Sequence, residues 1–344
     1  MQLLAAPLLS LAVLGCGDSA NGSGAGGAGP ACEPEDTAGA AAEGPSCAGG
    51  LQCAQGSCCE APLVPGCFYT FVLTTPSPGT SPWVESTVSV SSFRLDKYEV
   101  TVGRFRKFVD AVIAGWQPPP GSGKHTHLAG GGIQESPPEQ GWDPTWPALP
   151  TDKTVWDSHH WQDPATQMDP GGWTGTWTVD PGDNENLPME GVTWYEAYAF
   201  CIWDGGFLPT DRELEYAYVG GSEQRPVPWG AEATTCEFAQ VEFCDKLEAI
   251  DVGSKPLGNG KWGHADLAGN LSEWVLDRGS YEIPDIGNCT LDCATLAEYD
   301  AKVSRGSNFH SSSLAVDATP GGGRGAGRPD VSGAEQGVRC ARAP

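Results

Sequence analysis

Residues 186–221, "NLPMEGVTWYEAYAFCIWDGGFLPTDRELEYAYVGG", decide the fold. Thr193 and Glu196 stand three apart, a capping box that starts one helix. That helix stops at Gly205-Gly206. Trp194, Ala197, Phe200 and Cys201 share its inner face. Thr210 and Glu213 repeat the box just after Pro209 and start a second helix. Both helices are short and bounded by Gly or Pro, so they sit on a loop-rich β scaffold.

Working outward, "SSFRLDKYEV" reads as a strand with Phe93, Leu95, Tyr98 and Val100 as apolar anchors. "TVGRFRKFVDAVIAGW" places Val102, Phe105, Val109 and Val112 on one helical face behind Thr101 as N-cap. Residues 116–186 are long, irregular and Trp-rich. Their tryptophans offer either a packed core or stacking surfaces. His125, His127, His159 and His160 lie here, in "KHTH" and "SHH". No carboxylate or fixed element accompanies them in the sequence, so surface-loop histidines are the favoured reading over a metal site.

The chain has 344 residues, with 47 Gly, 29 Pro and only 18% charged residues. That composition predicts many loops and little continuous helix. The net charge of −25, with no basic run, repels polyanions and excludes nucleic acid as a partner.

Residues 1–16 read as an export signal with a lipobox, Val13-Leu14-Gly15-Cys16, so Cys16 is the expected lipid anchor. Residues 17–31 are a Gly/Ala/Ser tether. Residues 32–67 hold Cys32, Cys47, Cys53, Cys58, Cys59 and Cys67 in a disulfide-stapled segment whose pairing stays open. Residues 68–344 form the globular domain. The expected location is the bacterial cell envelope, at the outer membrane or its periplasmic face, with the membrane reached through the lipid. Removing Cys16 leaves twelve cysteines, an even number that fits an oxidising compartment. Cys236 with Cys244, and Cys289 with Cys293, are close enough for local pairs, though "CTLDC" also allows its two cysteines separate partners.

The motif order resembles the formylglycine-generating enzyme (sulfatase-modifying factor) family. Its pieces are "FRLDKYEVTVGRFRKFV", residues 186–221, "VPWG", "WGHADLAGNLSEWVLD", "VSRGSNF" and "GVRCAR". The resemblance implies an α+β, loop-rich, C-type-lectin-like fold. It implies structural calcium at "DLAGNLSEW", with side-chain oxygens from Asp266 and Glu273 and carbonyls from Gly269 and Leu271. Hard oxygen donors around a tight turn suit that ion. It also implies a Cys201–Cys340 disulfide, which in the chain-entropy model contributes about 4–5 kcal/mol.

Active oxidases of the family place two copper-binding cysteines just after the "RGGS"-type motif. Here "RGSNFHSSSLAVDA" begins at Arg305 and supplies no thiol before Cys340. Soft Cu(I) wants thiolates, so copper is not expected, and iron is unlikely. Leu214 also departs from the family's usual Trp. Arg305, Ser307, Asn308, His310 and Ser311 become candidates lining a cleft without copper chemistry, and no catalytic residue is assigned. The expected role is binding or scaffolding of a protein or glycan ligand. The alternatives are an oxidase using a different metal site on a protein or thiol substrate, and a calcium-dependent carbohydrate or surface-ligand module.

Overall fold

A computed structural model describes residues 40–41, 44–73, 84–128, 138–160, 175–244, 247–279, 289–296, 300–312, 316 and 321–344. The expected signal, Cys16, the tether and Cys32 lie outside these residues.

Helix α1 (Val102–Ile113) follows Thr101, whose side chain accepts from the Arg104 amide. Helix α2 (Lys153–His160) is a short element inside the Trp-rich insert. Helix α3 (Trp194–Trp203) and helix α4 (Asp211–Tyr218) each open on a complete capping box, Thr193/Glu196 and Thr210/Glu213. In each, threonine accepts from the third helical amide while glutamate accepts from the cap amide. Gly205, at φ 79°, turns the chain away after α3.

The largest sheet orders its strands Arg324–Gly327, Lys302–Arg305, Ser272–Arg278 and Gln336–Gly337. The first two contacts are antiparallel and the last is parallel. Arg305 stands opposite Glu273, which sets the "RGSNF" motif beside the "DLAGNLSEW" turn. A second sheet pairs Ala341–Arg342, Phe93–Leu95 and Leu63–Val64.

One hydrophobic core lies under α1 and α3. Phe105, Phe108 and Phe200 pack with Trp156, Trp177 and Trp194, all buried. The insert's described tryptophans therefore serve as core: Trp142, Trp156 and Trp177 are buried, and Trp116 and Trp146 pack against them. The polar ends stay satisfied. Trp156, Trp194 and Trp274 donate their indole N–H to the carbonyls of Pro150, Val275 and Val192. Trp161 and Trp173 lie outside the described residues; the five described ones serve the core rather than a stacking surface.

The Cys-rich segment is docked on the domain. Cys47–Cys59 and Cys53–Cys58 staple it. Ser46 donates its amide to Asp204 and accepts from Arg104, which also pairs with Asp96 and Asp204 inside the core. Cys201–Cys340 joins α3 to the residue that precedes the last strand, across 139 residues. Cys236–Cys244 and Cys289–Cys293 are local pairs. Every described cysteine is disulfide-bonded.

Candidate functional site

The "RGSNF" segment leaves the Lys302–Arg305 strand and lies on the Asp266–Glu273 turn. Ser307 Oγ accepts from the Gly269 amide at 2.9 Å, and the Phe309 amide donates to the Asn270 carbonyl at 2.9 Å. Asn308 Nδ2 donates to Ser272 Oγ at 3.3 Å. Phe309 packs against Leu271 and Ala249. The turn thus sets the height and aim of the loop that follows.

The five cleft candidates divide. Arg305 is only 3% exposed, so it does not line a cleft. Its guanidinium pairs with Asp211 and Glu215 and donates to the Gly321 and Gly322 carbonyls. A guanidinium with two carboxylates inside the protein is retained there by its partners. Ser307 is also buried and serves the turn. Asn308, His310 and Ser311 remain half-buried at the surface. Asn308 Oδ1 accepts from the His310 amide at 3.0 Å, and Ser311 Oγ accepts from the Asn308 amide at 3.0 Å. His310 Nδ1 lies 2.8 Å from Glu335 Oε1. Residues 313–315, 317 and 318 of the quoted loop lie outside the described residues.

An open cavity of about 620 Å³ lies next to this loop, through Ala249. Its lining includes Thr176, Asn184, Glu248, Asp251, Ser254 and Lys255. Nearby Glu190 is buried and pushed up to about 8, by burial first and then by Glu335 and Glu248. The lining mixes apolar surface from Leu187, Ala249 and Ile250 with the acids Asp183, Glu248 and Asp251, and it holds no cysteine.

The turn below carries three buried carboxylates: Glu99, Asp266 and Glu273. Arg339 bonds both oxygens of Glu273, with Nε at 3.0 and 3.1 Å. Asp266 Oδ2 accepts from the Gly253 amide at 2.6 Å. Glu99 accepts from the Leu271 amide at 2.9 Å and from Asn270 Nδ2 at 2.6 Å. Burial, then the neighbouring acids, pushes Glu99 up. Burial likewise raises Asp266 to about 6. One guanidinium faces three acids, so the set has the charge and donor type for a hard cation, although Arg339 already engages Glu273. Glu99 belongs to this set and sequence reasoning missed it. The signal was present in "DKYEV", where an acid sits among apolar strand anchors.

His125, expected on the surface, is buried at 4% exposure beside Glu213. The partner missing from the local sequence comes from α4, nearly ninety residues away. The side chains of His159 and His160 are outside the described residues.

Residues 55–344 match the Sulfatase-modifying factor enzyme 1-like domain. The formylglycine-generating enzyme of Thermomonospora curvata is 30% identical over 284 residues, covering 75% of this chain and 84% of that protein. The inactive C-alpha-formylglycine-generating enzyme 2 of Bos taurus is 27% identical, covering 74% of this chain and 78% of that protein. The structure of PvdO from Pseudomonas aeruginosa aligns with a TM-score of 0.52 at 18% identity, over 83% of this chain and 94% of that one. The last is a likeness of fold alone. The mixed, loop-rich α+β architecture is of the C-type-lectin-like kind. With its motif order, its fold and a matched region spanning most of its length, this chain belongs to the sulfatase-modifying factor family.

Proposed function

We propose that this chain is an envelope-anchored family member that binds a polypeptide or glycan ligand and does not carry out copper-dependent formylglycine formation. One observation carries the reading. The segment after "RGSNF" offers His310 and Ser311 where copper-binding cysteines are expected, and every described cysteine, Cys340 included, is in a disulfide. A disulfide sulfur is not a thiolate, and Cu(I) needs the thiolate. Among the described residues the cleft instead offers the amide of Asn308, the His310–Glu335 pair and the acid-lined cavity beside them. That lining suits hydrogen bonding to a polar chain. Calcium at the Asp266–Glu273 turn would hold the floor under the loop, drawing on Asp266, Glu273 and Glu99 with the Gly269 and Leu271 carbonyls. The lipid anchor at Cys16 would keep the domain at the membrane.

The test is incubation of purified protein with Cu(I), oxygen, a thiol reductant and a sulfatase peptide bearing the target cysteine. Mass spectrometry of the peptide reads the outcome. The expected result is an unchanged peptide. Multiple turnovers to formylglycine would overturn the proposal.

A further inference from the structure

The cluster formed by His125, His127 and Glu213 lies outside the cleft and the calcium turn. Its ligand-type atoms all fall within 4.8 Å of one another. The histidine segment is pinned on both sides. The His125 amide donates to Glu139 Oε2 at 2.8 Å, and Tyr198 donates its hydroxyl to the Gly123 carbonyl at 3.0 Å. Gly123, at φ 76°, sits so close to Ile202 that a Cβ there would meet it at 2.5 Å. Phe207 closes one side, its ring 4.2 Å from that of His125. The carboxylate is equally fixed. Glu213 Oε2 accepts from the Thr210 amide and from His125 Nε2, each at 2.8 Å.

Two atoms in this fixed frame are left over. Glu213 Oε1 and His127 Nδ1 are both buried, and neither has a hydrogen-bond partner. They face each other at 3.8 Å, too far for a hydrogen bond. Leaving two buried polar groups unpaired costs stability, so such a gap calls for an occupant. Nitrogen and oxygen ligands about 2.0–2.2 Å from one ion stand roughly 3–4 Å apart, and the 3.8 Å between Glu213 Oε1 and His127 Nδ1 falls in that range.

We propose that His125 Nε2, His127 Nδ1 and Glu213 Oε1 hold a divalent first-row transition-metal ion of the zinc or ferrous class. Two imidazoles and one carboxylate are borderline donors that suit these ions better than calcium or Cu(I). Three protein ligands leave an open coordination position for water or a ligand atom. On binding, His125 takes its other neutral tautomer: the ring proton moves from Nε2 to Nδ1 and frees Nε2 for the metal, so the 3.2 Å contact from the His127 amide to Nδ1 opens. Glu213 keeps its cap to Thr210 through the other oxygen.

The site is tested on full-length, tag-free protein stripped with chelator and kept in excess Ca2+, so that hard-oxygen sites do not compete. Co(II) is titrated, its visible absorption followed, and Zn(II) added to displace it. The expected result is one equivalent of Co(II) with ligand-field bands, released by Zn(II). His127→Ala and Glu213→Gln should each weaken binding by at least about tenfold, and His310→Ala should leave it unchanged. Melting curves check each variant's fold. If Glu213→Gln unfolds through loss of its cap, His127→Ala, which alters a more exposed residue, decides alone. No stoichiometric Co(II), or undiminished binding in His127→Ala, overturns the proposal.

Discussion

Two buried charge clusters flank the "RGSNF" segment, and they are built differently. On one side Asp211 and Glu215 meet three guanidinium groups, those of Arg212, Arg305 and Arg324. On the other, Glu273 pairs with Arg339 while Glu99 and Asp266 accept from Asn270 and the Gly253 amide, with no guanidinium bonded to them. The acids report the difference. Burial opposes ionisation of Asp211, yet Arg305 and Arg324 hold its carboxyl well below the usual carboxylate range. Glu99 and Asp266, equally buried, are pushed up. The matched cluster is a clamp that needs nothing more. The unmatched one has room for a cation's charge.

Removing a partner from the matched cluster should have the largest effect. Arg305→Met removes one of two guanidinium partners from both Asp211 and Glu215, leaving Arg324 and Arg212, and should cost about 3 kcal/mol. Urea denaturation of the oxidised protein measures it, and a loss under 1 kcal/mol would show that the pairs are dispensable. The unmatched cluster should respond to Ca2+ instead. Adding Ca2+ after chelation should raise the melting temperature, and Asp266→Asn should abolish that rise. An equal rise in the variant would place the ion elsewhere.

A smaller effect comes from Glu190, an acid with no guanidinium against it. Its folded value of about 8 lies above the ordinary carboxylate value near 4.5. Between those two pH values the unfolded chain releases a proton that the native state keeps. Native stability therefore falls as pH rises through that window, and the penalty is constant above it. Glu190→Gln should flatten this slope and match wild type below about pH 4.5, as read from melting temperatures across pH. An unchanged slope would mean that Glu190 ionises freely.

Local chemistry explains what could be read in advance. Both capping boxes, the Thr101 cap and the buried face of α1 follow from spacing within one turn of helix, so the sequence displays them directly. Burial of Arg305 was not legible, because its partners Asp211 and Glu215 lie on α4 about ninety residues earlier. The same distance hid Glu213 from His125 and His127. Glu99 escaped notice because it reaches the turn from the loop after the Phe93–Leu95 strand, about 170 residues away in sequence, not by motif. Local spacing reveals helices and caps, whereas a site assembled across the chain becomes visible only when the fold closes.

In this family fold every described cysteine is committed to a disulfide. The most direct measurement is alkylation of the unfolded, unreduced protein with iodoacetamide, followed by peptide mapping. The expected result is no adduct on any cysteine from Cys47 to Cys340. Stoichiometric alkylation of Cys201 and Cys340 would contradict it, because two free thiols would again be available for Cu(I).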